Sequence, residues 1–130
     1  MTEEYVATNP VDTGGSWGMP DKDEVYPAAL EVFATEPAID VVVSRFTIPR
    51  TGELGRLNQR IEEMEAARTA HPDRLFAVIC RTTDQWCLEW EAAVRAKHIP
   101  FLQGYGRGPR ALGRLAAYSR AMHGAQLIHS

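Results

Sequence analysis

Cysteine is scarce in this chain, with only Cys80 and Cys87 among 130 residues. Two thiols are too few for a disulfide framework, and their spacing matches no metal-ligand pattern. No apolar run approaches the length of a membrane span, and the opening residues Met1-Thr2-Glu3-Glu4 are acidic where a secretory signal would be basic and then apolar. These absences lead to the expectation of a cytoplasmic protein with no membrane partner. Basic excess is missing as well. Fourteen Lys and Arg stand against seventeen Asp and Glu, a formal net charge of −3, which speaks against a nucleic-acid partner. The histidines His71, His98, His123 and His129 are dispersed, and no Ser/His/Asp order, carboxylate pair or His/Cys cluster suggests a reaction. No catalytic residue and no metal site is therefore assigned.

What is present suits one ordinary domain. With 45% hydrophobic residues the chain can bury a single core and has little room for a second. Residues 1–130 are read as one domain, with 1–8 and 123–130 as loosely ordered ends. Strands are expected at Tyr5–Thr8, Ile39–Arg45, Leu75–Cys80 and Phe101–Gln103, rich in β-branched or continuous apolar residues. Helices alternate with them. The first runs to about Thr35, capped by Asp21 or Asp23, with Pro27 in its first turn and Ala29, Val32 and Phe33 inward. A second covers about Gly52–Ala70, with Leu54, Leu57, Ile61 and Met64 on one stripe and Arg60, Glu62, Glu63 and Glu65 off it. The third opens on Thr82-x-x-Gln85, a capping-box pattern, and turns Trp86, Trp90, Ala93 and Val94 inward. The last starts near Pro109 and presents Leu112, Leu115, Ala116 and Met122 to the core. Alternating strands and helices imply parallel pairing, so the fold class is α/β, helix on sheet on helix.

Three loops have chemistry suited to an anion. Asp12-Thr13-Gly14-Gly15-Ser16 follows the first strand, and its glycines remove the Cβ atoms that would keep a ligand from the backbone amides. Thr47–Gly52 leads to a helix N-terminus, where free N–H groups and the dipole attract phosphate, with Arg50 beside it. The third, Gly104-Tyr105-Gly106-Arg107-Gly108, has Arg107 and Arg110 about a glycine-supported helix start. Each loop has a plainer reading: a surface turn for the first, and close helix–sheet packing for the third. Arg107, Arg110, Arg114 and Arg120 likewise read either as a solvated face or as a phosphate-facing patch. Buried Cys80 reads as a small hydrophobe, and Cys87 has no histidine near it in sequence.

The succession Ile99–Tyr118, IPFLQGYGRGPRALGRLAAY, with Asn9–Trp17 and Ala29–Val43 upstream, resembles the NDP-forming acyl-CoA synthetases, relatives of succinyl-CoA synthetase. The resemblance runs from about Asn9 to about Met122 and is to their flavodoxin-like CoA-ligase domain. The four strands counted above are one fewer than the usual flavodoxin-like parallel sheet, and the resemblance implies that the usual first strand and helix are the ones lacking. By position it implicates Gly14 and Gly15, and then Arg50, Thr51 and Gly52, in approaching a phosphate. The second loop departs from the glycine pair common in those relatives, since Thr47-Ile48-Pro49 intervenes. CoA and ATP or ADP are implied for a complete enzyme, which would join an acid to CoA. The chain by itself is expected to be inactive and to work as a homodimer or with other synthetase domains or subunits. The rival expectation is a non-catalytic flavodoxin-like interaction or regulatory module.

Overall fold

The computed structural model describes residues 23–47, 55–80 and 88–128. In chain order these form α1 (Val25–Thr35), β1 (Val41–Phe46), α2 (Gly55–Ala70), β2 (Leu75–Cys80), α3 (Leu88–Ala96), β3 (Phe101–Gln103) and α4 (Arg107–Ile128). The strands make a parallel sheet ordered β1-β2-β3, flanked by helices. This is an α/β arrangement compatible with a flavodoxin-like three-layer fold lacking a strand. The strand expected at Tyr5–Thr8 lies outside the described residues. β2 is the middle strand, and its residues Phe76–Cys80 are all buried, as a continuous apolar run implies. β1 instead alternates: Val42, Ser44 and Phe46 are buried while Val43 and Arg45 are exposed. Phe46, which the sequence suggests as the start of a loop, closes the strand and is buried.

The chain divides into two compact units, Met1–Val42 with Gly55–Phe76 and Val43–Leu54 with Ala77–Ser130. In the first, α1 and α2 are in contact. Leu57, Ile61 and Met64 of α2 are buried as their spacing of three and four requires. On α1 the buried residues are Leu30 and Ala34, with Ala29 and Phe33 half-buried. Val32 is 66% exposed, against the expectation that it turns inward. The reason is angular: two residues from Leu30 is about 200° of helix, the opposite side. Glu24, not an aspartate, holds the N-cap position, without a side-chain bond. Asp23 is drawn off to Arg56 and Arg60. The C-terminal end of α1 is held from outside, since Arg74 donates from Nε to Ala34 O at 3.0 Å and from Nη1 to Ile39 O at 2.5 Å.

Arg60 is the main departure in this unit. Charge alone places it off the stripe, yet its side chain is 1% exposed. Its Nη1 donates to Glu63 Oε2 at 2.8 Å and to Asp23 O at 3.1 Å, and Nη2 donates to Asp23 Oδ1 at 3.1 Å. Its guanidinium carbon also lies 5.3 Å from the Tyr26 ring centroid. Burial of this charge is made tolerable by paired carboxylates and a ring face.

In the second unit the core forms around Trp90. Its ring meets Phe46 edge-on at 5.8 Å and Phe101 edge-on at 5.5 Å. Trp90 and Val94 are buried, so burial is the outcome for this tryptophan; Trp86 and the Thr82–Gln85 cap lie outside the described residues. α3 ends on His98, whose φ of 55° is left-handed. Ile99 N donates to Val94 O at 3.5 Å and His98 N to Arg95 O at 3.0 Å, the paired bonds of a Schellman ending, with Ile99 and Val94 both buried. The chain then enters β3, in register Val78 with Phe101, Ile79 with Leu102 and Cys80 with Gln103. Along α4 the expected inward face is only partly used. Leu112 and Ala116 are half-buried, but Leu115 is 55% and Met122 45% exposed. The helix makes its close approach to the sheet at its first turn, and its later turns carry the stripe into solvent.

Candidate functional site

Parallel strands bring their C-terminal ends to one edge, where ligands of open α/β sheets are received. In the second unit that edge is built by the end of β1 and by the turn between β3 and α4. Gly104 makes the turn. Its φ of 86° is open to glycine and costly for other residues. Its N–H donates to Cys80 O at 2.8 Å, tying the end of β3 to the end of β2, and its carbonyl accepts from Gly108 N at 2.9 Å, starting α4. Tyr105 is thereby delivered to the surface, 43% exposed.

Arg45, the exposed penultimate residue of β1, donates from Nε to the Tyr105 hydroxyl, and its guanidinium carbon is 5.2 Å from the ring centroid. The hydroxyl accepts this bond, so its own proton remains available to an oxygen of a ligand. Among the described residues the guanidinium has one of its five donors engaged, by Tyr105. Beside this pair α4 begins, where Gly108 has given its N–H to Gly104 O and Pro109 has none, so the helix start adds chiefly the positive end of its dipole. The first turn carries no acidic residue. Arg107 is exposed there, and Arg110 folds back to donate from Nε to Gly106 O at 2.9 Å. Donors of this kind suit an anion.

Of the residues singled out from sequence, Arg107 takes its place at this helix start. Gly14, Gly15, Arg50, Thr51 and Gly52 lie outside the described residues, as does Cys87. The two readings of the glycine turn divide between residues: Gly104 serves the turn, whereas Gly108 serves packing. A Cβ on Gly108 would stand 3.1 Å from Ile79 Cδ1 and 3.3 Å from Leu102 Cβ. Arg45 was not among the sequence-selected residues. The available signal was a charged residue near the C-terminal end of a strand that opens on three valines, at the end where such sheets bind ligands.

The histidines are occupied elsewhere. His71 pairs its Nε2 with Glu31 Oε2 at 2.9 Å, and His123 Nδ1 lies 2.8 Å from Ser119 O. His98 forms the α3 ending, and His129 lies outside the described residues. Among the described residues no three His, Cys, Asp or Glu side chains are grouped so as to hold a metal ion, and no helix is long and apolar enough to cross a membrane. No protein-family model, curated protein or solved structure matches this chain.

Proposed function

We propose that the chain binds a phosphate-bearing small ligand at the C-terminal edge of its sheet. We further propose that it serves as the CoA-ligase-type domain of an NDP-forming acyl-CoA synthetase, inactive alone and working with other domains or subunits. The first half rests on one observation: Arg45 and Tyr105, far apart in sequence, meet at the strand ends beside an acid-free helix start. The second half rests on the motifs between Asn9 and Met122 alone. The donors at this edge suit the phosphate groups of CoA or a nucleotide, and their part is to bind and orient. When bound, the CoA thiol would be the acyl acceptor of the complete reaction.

Titration of isotopically labelled protein with inorganic phosphate, CoA and ATP tests the binding half. The amides of Tyr105, Gly106 and Arg107 are expected to shift, and Arg45→Gln to weaken binding about tenfold, the loss of one charge-assisted contact. Unmoved amides at saturating phosphate and CoA would end this reading. A separate assay with ATP, CoA and a panel of short and aromatic acids is expected to show no sustained acyl-CoA formation; turnover by the purified chain would overturn the claim that it needs partners. The second reading, a non-catalytic interaction module, is favoured by the exposed apolar residues along α4.

A further inference from the structure

Among the described helices α4 is the most one-sided in charge. Across its 22 residues it carries Arg107, Arg110, Arg114 and Arg120 and neither Asp nor Glu, so it holds four of the fourteen basic residues and none of the seventeen acids. The rest of the chain sums to −7. Ala111, Leu115, Tyr118 and Met122 follow one another at spacings of four, three and four, which sets them on one narrow stripe. All four are exposed, Leu115 by 55%, Tyr118 by 64% and Met122 by 45%. Arg107 and Arg114, one heptad apart, border this stripe on a single side.

The first unit presents the counterpart. On α1 the exposed Ala28 and Val32 lie one turn apart, and Val32 is 66% exposed. The exposed acids Glu24 and Glu31, also one heptad apart, border that strip on a single side, Glu31 with one oxygen already on His71 Nε2 at 2.9 Å. The two faces are therefore apolar strips of the same pitch, with heptad-spaced charges of opposite sign on one flank. Pairing of α4 with α4 would instead set arginine against arginine.

We propose that this chain self-associates through these faces, α4 of one copy lying antiparallel on α1 of a second, with Leu115 and Tyr118 covering Val32 and Ala28 and Arg114 meeting Glu31. The strip on α1 is short, so the association is reversible and concentration-dependent and does not make an obligate dimer. It weakens as salt screens the charge pairs. The inference draws on faces apart from the strand-end site and stands whether or not that site binds phosphate.

Sedimentation velocity across protein concentrations, without ligand, tests it. The wild-type chain is expected to shift toward a larger species with concentration. Leu115→Ser, Val32→Ser, Arg114→Glu and Glu31→Lys are each expected to raise the dissociation constant at least tenfold. These residues are exposed, and unchanged circular dichroism would show the fold intact, Glu31→Lys also losing its pair with His71. The decisive measurement mixes R114E with E31K. Each alone has like charges at the contact, while the mixture restores opposite charges, so association should return on mixing. A wild-type chain that stays monomeric at millimolar concentration, or association indifferent to R114E, would overturn the proposal. So would failure of the mixture to associate. Co-sedimentation of a monomeric chain with vesicles containing phosphatidylserine, abolished by Leu115→Ser, would also overturn it and assign the stripe to a lipid surface.

Discussion

A buried arginine organises the two helices of the first unit, whereas in the second unit a buried tryptophan stands between two phenylalanines and a glycine lets a helix backbone come close to the sheet. Both centres are nearly excluded from water: Arg60 and Trp90 are each 1% exposed. They differ in what surrounds them. Arg60 needs Asp23 and Glu63, whose side chains remain 37% and 19% exposed. Trp90 needs only surfaces, and its Nε1 is buried without an acceptor. Charge organises a place that water can still reach in part, and apolar contact organises one that it cannot.

Trp90→Ala should be the most harmful substitution, costing about 3–5 kcal/mol through lost burial and the cavity between Phe46 and Phe101. Trp90→Phe should cost much less, because it keeps an edge-on ring and removes an unpaired N–H. Urea unfolding of the two variants reads the difference, and equal losses would mean that ring packing is not what holds this core.

Arg60→Ala should come next, at about 2 kcal/mol. Removing one side of a buried pair costs more than that where both partners are enclosed, but here the carboxylates can recover water. Arg60→Met, which keeps the stem against Tyr26, should lose less than Arg60→Ala. If the exposed, helix-surface Arg95→Ala proved as costly, the distinction between buried and surface charge drawn here would fail.

The smallest effects should differ in sign within one helix. Gly108→Ala places a methyl at 3.1 Å from Ile79 Cδ1, so overpacking should outweigh the helix-propensity gain, for a net loss of about 1 kcal/mol. Gly113, also in α4, has nothing within 4 Å of a built Cβ, and Gly113→Ala should stabilise by about 0.5–1 kcal/mol. Thermal midpoints moving in the same direction for both would show that α4 does not approach the sheet at its first turn.

At the candidate site, the glycine turn and Arg107 were legible because positive-φ turns and helix starts are written in short runs of sequence. Arg45 was not, since its role depends on Tyr105, sixty positions further on, and no local pattern couples the two. Phe46 was misplaced for the same reason: the turn-prone residues after it suggested a loop, while contact with Trp90 keeps it in the strand.

Sequence alone determined the alternation of strands and helices, the bounds of β2 and β3, and the inward stripe of Leu57, Ile61 and Met64. These follow from periodicity and from continuous apolar runs, which act over a few residues and are printed in the chain. Tertiary structure decided which side of each helix is covered and for how far. Val32 is apolar and exposed because Leu30 and Ala34 set the buried side of α1. Arg60 is charged and buried because Asp23, Glu63 and Tyr26 converge on it. Leu115 and Met122 are apolar but reach solvent, because they lie round the helix from the side on which Leu112 and Ala116 are partly covered. A pattern in sequence states that a face is apolar; only the packing of other elements determines whether anything meets it.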